Sequence, residues 1–176
     1  MKHIETKNDT NKKYMYVFYD FECSQEILND KDQYEHEVNL VISKSVCYNC
    51  INTDYNNNNN CDMCLNKENI FEGKSSLKNF CTYIFSPKYA SLNITAIAHN
   101  SSGYDAQFIL RYCFSHGIKP KNMICSGSKI IYMHINNVRF IDSFKFLPMA
   151  LSKLPSTFGF ISLKKDDFPH LFNISE

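Results

Sequence analysis

The chain lacks a surplus of charge: 19 lysines and arginines face 18 aspartates and glutamates, a formal net of +1. That excludes attraction to nucleic acid through whole-molecule basicity, so such a partner has to be held by a local groove. Long apolar runs are also missing. No stretch approaches the roughly 20 residues of a membrane-spanning helix, and the opening MKHIETKNDTNKK has no hydrophobic core of a secretory signal. The expectation is a soluble, intracellular protein that is neither secreted nor membrane-bound, in a compartment the residues do not specify. Residues 1–13 lack periodicity and are expected to form a mobile tail.

What is present suits a globular protein. With 176 residues, 44% of them hydrophobic, the chain can bury one core, and two full domains would be crowded. Residues 14–22, YMYVFYDFE, read as a buried strand ending in two carboxylates. On a strand alternate side chains share a face, so Asp20 and Glu22 point the same way and Phe21 the other. Like charges held so close repel unless a hard cation such as Mg²⁺ or Mn²⁺ sits between them. The plainer alternative is a pair of solvated acids at a strand end. Polar residues 23–37 read as a loop, and 38–46 as a second strand, hairpin-paired with the first.

Eight cysteines with no secretory signal favour metal over disulfides, because four of them form two Cys-x-x-Cys knuckles. Cys47, Cys50, Cys61 and Cys64 can surround one Zn²⁺, giving a zinc-binding insert over 46–66 whose closed thiolate shell stabilises rather than catalyses. Free buried thiols are the alternative. Cys23, Cys81, Cys113 and Cys125 are read as ordinary packed thiols, and the asparagine run 56–60 as a low-complexity fingertip or neutral repeat.

Ser75 and Ser76 precede an apolar stripe at Leu77, Phe80, Cys81, Ile84 and Phe85, closed by Pro87, which predicts an amphipathic helix with a serine cap. A strand over 94–99 then leads into Asn100-Ser-Ser-Gly-Tyr104-Asp105 and a helix over 106–116 stopped by Gly117. Asp105 is either a metal ligand at the mouth of a sheet or an acid favoured by the helix dipole. Asn136-Asn137 between apolar runs marks a hairpin of strands 129–135 and 138–143, and 147–158 reads as a short helix.

Together these segments resemble the 3′→5′ proofreading exonuclease domain of family B DNA polymerases, in the protein-primed group of viruses, organellar plasmids and large DNA transposons. Asp20-Phe-Glu22 resembles the first exonuclease motif and Asn100 to Asp105 the second. The segment Ser143-Phe144-Lys-Phe-Leu147 is similar to the single-stranded DNA motif Ser/Thr-Leu-x-x-hydrophobic, with Phe144 in place of Leu, and Lys165-Asp-Asp-Phe168 to the Lys-x-x-hydrophobic motif. FPHLFN and the Cys-x-x-Cys insert are similar to the transposon branch.

The resemblance implies an RNase H-like α/β mixed sheet flanked by helices, spanning 14–176, with the zinc-knuckle insert inside it. It implies two-metal phosphodiester hydrolysis with Asp20, Glu22 and Asp105 as Mg²⁺ or Mn²⁺ ligands and Lys165 at the phosphate; Lys164 beside it is the competing lysine. Asn100, Tyr104, Ser143 and Phe144 would grip a single-stranded DNA 3′ end, and a terminal protein primer would be a further partner. The family's third motif, Tyr-x-x-x-Asp, has no match where it is expected, nor do the palm motifs. The expectation is therefore a polymerase fragment with weak or absent exonuclease activity on its own. A zinc-stabilised nucleic-acid-binding module without chemistry, or an inactive mobile-element relic, are the alternatives.

Overall fold

The aromatic and β-branched run that opens at Tyr14 forms the longest strand, β1 (Tyr14–Leu28), because alternate residues Met15, Val17, Tyr19 and Phe21 all bury on one face. Around it a computed structural model describes residues 13–28, 34–51, 61–64 and 68–160. The predicted tail up to residue 12, the asparagine run 56–60, Lys164, Lys165, His170 and the FPHLFN phrase lie outside the described residues.

β2 (Tyr34–Cys47) pairs antiparallel with β1, as the sequence suggests, and β3 (Glu68–Glu72) pairs antiparallel with β2. On the other side of β1 lie β4 (Asn93–Ala98) and then β7 (Val138–Asp142), both parallel to it, followed by β6 (Lys129–Ile135) and β5 (Asn122–Ser126) as antiparallel neighbours. The result is a mixed seven-stranded sheet in the order β3-β2-β1-β4-β7-β6-β5.

Two helices pack together on one face. α1 (Ser76–Ile84) sends fully buried Phe80 between Tyr19 and Phe21, with ring centroids 5.2 and 5.4 Å away. Burying a ring of that size contributes about 1.5–3 kcal/mol. α2 (Asp105–Ser115) adds Ile109 and Cys113 to the same core and brings Phe108 against Phe21. The hairpin at Asn136-Asn137 is as predicted: Asn136 adopts φ +53°, which asparagine tolerates, and the Asn137 amide donates to the Tyr89 and Leu92 carbonyls.

Four expectations need correction, the first being Cys125, which is no packed thiol but stands exposed on β5. Residues 23–28 and 34–37 are not loop but strand: the β1–β2 ladder runs on through Cys23↔Val38 to Leu28↔Tyr34, with register shifts after Glu22 and Ser24, and residues 29–33 lie outside the described residues. A ladder is made by backbone groups, so polar side chains do not prevent it. Ser75 stands before α1 without a side-chain capping bond, while the Ser76 hydroxyl donates to the Val38 carbonyl and ties the helix to β2. The predicted 147–158 helix is reduced to a 3₁₀ turn (Leu151–Lys153) and one turn of helix, α3 (Leu154–Thr157). Pro148 disfavours helical geometry at the residue before it, and Ala150 is extended at ψ 140°.

Candidate functional site

β1 carries a different set of groups at each end of its first half. Its parallel pairing with β4 stops at Phe18↔Ile97, and only β2 accompanies it through Asp20 and Glu22. Asp20 is therefore exposed at the edge of the covered sheet and Glu22 is half-buried, while Tyr19 and Phe21 stay in the core. Next to them β4 ends at Ala98, and the chain turns through Asn100, which adopts left-handed φ 63°, and a 3₁₀ turn (Ser101–Gly103) into Asp105 at the start of α2.

Asp105 is only 5% exposed. Burial, followed by the negative charge of Asp20 and lesser contributions from Asp142 and Glu22, pushes its carboxyl up to about 7. Asp20, Glu22 and Asp105 thus share one electrostatic neighbourhood, although they are not gathered as tightly as the cysteines: the four-cysteine group is the set of three or more such ligands within 4.8 Å among the described residues. An acid held near neutrality by burial and by other carboxylates is a group whose ionisation a hard cation would favour, so the donor set fits Mg²⁺ or Mn²⁺.

Asp20, Asn100, Ser143 and Phe144 line one cleft of about 670 Å³, floored by Phe18 and walled by Leu151. Tyr104 faces elsewhere. Its hydroxyl lies 2.8 Å from His36 Nδ1, and its ring meets His36 and Phe108 edge to face. Cys23, expected as a plain packed thiol, is raised to about 11 by burial, with Tyr104 beside it and Asp105 and Glu22 close by. Ser143 is occupied within the protein. Its hydroxyl is 3.0 Å from His99 Nδ1 and 3.2 Å from the Ala98 carbonyl, while His99 Nε2 donates to the Met149 carbonyl at 2.8 Å.

The sequence reading passed over Asp142. It ends β7, is 2% exposed, and accepts backbone N–H bonds from Asn100, Ser102 and Phe144 at 2.8, 3.1 and 2.9 Å. Burial opposes its ionisation, but those N–H donors and the Ser102 side chain outweigh it and hold the carboxyl below the ordinary carboxylate range. The available signal was its place: an aspartate next to last in a predicted strand, two residues before the Phe144 N–H it caps.

At the start of β1, Met15 pairs with Cys47, where the first knuckle begins. Tyr48 N–H bonds back to the Tyr14 carbonyl, and the Cys50 and Ile51 amides fold over the Cys47 carbonyl. Cys47 Sγ lies 3.8 Å from Cys50 and 3.5 Å from Cys61, and Cys64 lies 3.7 Å from Cys50. Cys47 and Cys64 are buried. Although burial works against it, the Cys61 thiol is brought down to about 7 by the Cys64 and Met63 amides and the neighbouring sulfurs, so a thiolate is accessible there. Four sulfurs so close could hold a metal ion.

A family model described as DNA polymerase type B, organellar and viral, matches residues 86–175, just over half of the chain. The chain belongs to the organellar and viral type B DNA polymerase family. A probable DNA polymerase of Agaricus bitorquis is 33% identical over 96 residues, covering 51% of this chain and 12% of that protein. The chain thus spans only a small part of this relative's length. Within this type B polymerase chain, the family match takes in Asn100, Asp105, Asp142, Ser143 and Lys165, whereas β1 with Asp20 and Glu22, and the four cysteines, precede it. No helix among the described residues is long and apolar enough to cross a membrane.

Proposed function

We propose that this chain is the part of a type B DNA polymerase that carries its 3′→5′ proofreading exonuclease centre. The observation that carries the reading is the raised Asp105: burial and the Asp20 charge leave its carboxyl near neutrality, and Asp20 itself lines the cleft with Asn100 and Phe144. Strand order supports it as well. An antiparallel β1–β2–β3 meander followed by β4 and β7 parallel to β1, with the β5–β6 hairpin at one edge, supports the RNase H-like mixed sheet that this reading proposes.

In this reading Asp20, Glu22 and Asp105 hold two Mg²⁺ or Mn²⁺ ions. Such a pair supplies an activated hydroxide and neutralises charge at the phosphate and leaving oxygen. The chain's own contribution is placement. Asp20 enters from a strand and Asp105 from the first turn of a helix, so the core fixes both relative to the cleft. Asn100 and Phe144 border the space for an unpaired 3′ end, with Phe144 as a face for base stacking worth about 1–3 kcal/mol. Lys165 is proposed to act at the scissile phosphate, and a terminal protein primer is the further partner this polymerase class brings.

The four cysteines are proposed to bind a structural Zn²⁺. Ligands about 2.3 Å from a tetrahedral ion stand about 3.8 Å apart, close to the 3.5–3.8 Å of three sulfur pairs, with all four sulfurs within 4.8 Å of one another.

The test is Mn²⁺ binding by the 176-residue chain, followed by calorimetry, with labelled oligo(dT) binding measured in its presence. Asp20→Ala and Asp105→Asn should each weaken Mn²⁺ by about tenfold or more, roughly 1.4 kcal/mol. Oligo(dT) binding that is indifferent to both variants and to Mn²⁺ would instead favour a binding module without chemistry.

A further inference from the structure

The parallel pairing of β4 with β7 ends at Ala98↔Asp142, so the two loops that line the cleft leave the sheet side by side. One loop carries Asn100 and leads to Asp105; the other is a 3₁₀ turn (Ser143–Lys145) carrying Phe144. A single buried carboxylate bonds both. Asp142 Oδ1 accepts from the Asn100 and Phe144 amides, and Oδ2 accepts from the Ser102 amide. Two of the donors belong to the first loop and one to the second.

We propose that Asp142 is the positioning residue of the DNA cleft, a clamp that fixes the Asn100 loop against the Phe144 turn so that both present to the same 3′ end. The clamp rests on the reading of the cleft as a single-stranded DNA site. Its chemistry follows from valence: a carboxylate is acceptor-only, whereas each N–H can only donate, so both oxygens are needed to serve three donors. Charge-assisted bonds to backbone N–H are stronger than neutral ones, and they fix Asn100 in a left-handed turn that a looser loop would not hold. Three amides drawn to one carboxylate also place the first residues of the turn into α2, and hence Asp105, relative to β7. Asp142 does not line the cleft itself, so it acts through these residues.

Asp142→Asn is nearly isosteric but turns one acceptor oxygen into an amide donor facing an N–H. In the full chain with Mn²⁺ present, it should weaken labelled oligo(dT) at least about tenfold, while the cobalt–thiolate absorbance of the cysteine cluster stays unchanged. The distinguishing readout is a double-mutant cycle: Asn100→Ala should cost much less in the Asp142→Asn background than in wild type, because the clamp and the side chain act as one. Unchanged oligo(dT) affinity, or full additivity with Asn100→Ala, overturns the proposal. Where Asp142→Asn does not fold, amide hydrogen exchange in the wild-type chain decides. Slow, concerted exchange at Asn100, Ser102 and Phe144 supports the clamp, and exchange at open-loop rates overturns it. A wild-type chain that does not bind oligo(dT) at all defeats the DNA reading, and the same exchange rates then judge the clamp separately.

Discussion

The two ends of the first half of β1 set the same electrostatic problem and solve it differently. At Met15 the strand abuts four sulfurs within 4.8 Å of one another, three pairs of them 3.5–3.8 Å apart; at Asp20, five residues on and about 17 Å away along the strand, carboxylates feel one another's charge without three of them gathering within that distance among the described residues. The cysteine end is half-buried and locked by backbone bonds within tight turns, so its geometry is local. The carboxylate end is assembled from a strand and a helix that are distant in sequence, and it opens onto a cleft. A closed shell of soft ligands suits structure, and an open set of hard ligands beside a groove suits exchangeable ions and substrate. The contrast can be broken from either side.

The largest effect should come from emptying the cysteine end. Cys47→Ser, or a strong chelator at neutral pH, should lower the thermal midpoint by about 10 °C or more, because structural Zn²⁺ contributes folding free energy directly. Bound zinc and thermal unfolding followed together check it; a midpoint unchanged after complete zinc loss would remove the structural role.

Next in size is the pH response of the carboxylate end. Burial and the Asp20 charge push the Asp105 carboxyl up to about 7, against 3.8 for an ordinary aspartate, so in EDTA it should titrate near neutrality. The native state therefore holds a proton that the unfolded state has lost, and stability should fall as pH rises from about 4 to about 7. The shift corresponds to roughly 4 kcal/mol at most. Asp105→Asn should flatten that slope and stabilise the cation-free protein at pH 7.5, and Mn²⁺ should reverse the loss in wild type only. Denaturant melts across the pH range read all three, and an equal slope in both proteins would contradict the assignment.

Asn137→Ala tests whether such effects are specific to either end. Losing the amide that serves the Tyr89 and Leu92 carbonyls should cost about 1–2 kcal/mol in urea melts, while zinc and Mn²⁺ affinities stay as in wild type. A change in either affinity would mean that general loosening, rather than the ends of β1, controls the metals.

How far the sequence revealed these ends depends on the range of the determinants. The knuckles were legible because Cys-x-x-Cys is a local pattern, and so were β1, α1, α2 and the Asn136 hairpin, whose periodicity and turn chemistry lie within a few residues. β3 and β5 were missed because each is short and largely exposed, so neither has a strong apolar period; they exist through pairing with β2 and β6. The extension of β1 past Cys23 was hidden for the same reason, since ladder bonds do not depend on side-chain polarity. Asp20, Glu22, Asn100 and Asp105 could be singled out by motif, but the turning of Tyr104 toward His36 and the burial of Asp142 depend on loops that meet only in three dimensions.

The smallest effect is the most direct probe of whether the carboxylate end is a unit. Burial is the main cause of the raised Asp105 and Asp20 the second, so removing the Asp20 charge should lower the Asp105 titration only part of the way. Asp20→Asn should therefore bring the midpoint down from about 7 by an amount worth about 1 kcal/mol, leaving it above the ordinary aspartate value. Carbon-detected NMR of the Asp105 carboxyl in EDTA measures this without any metal. A midpoint that does not move would show the two acids to be electrostatically separate and the strand's two ends to differ more than their shared problem suggests. A partial fall, with the cysteine signals unchanged, ties Asp20 and Asp105 into one site that a cation completes.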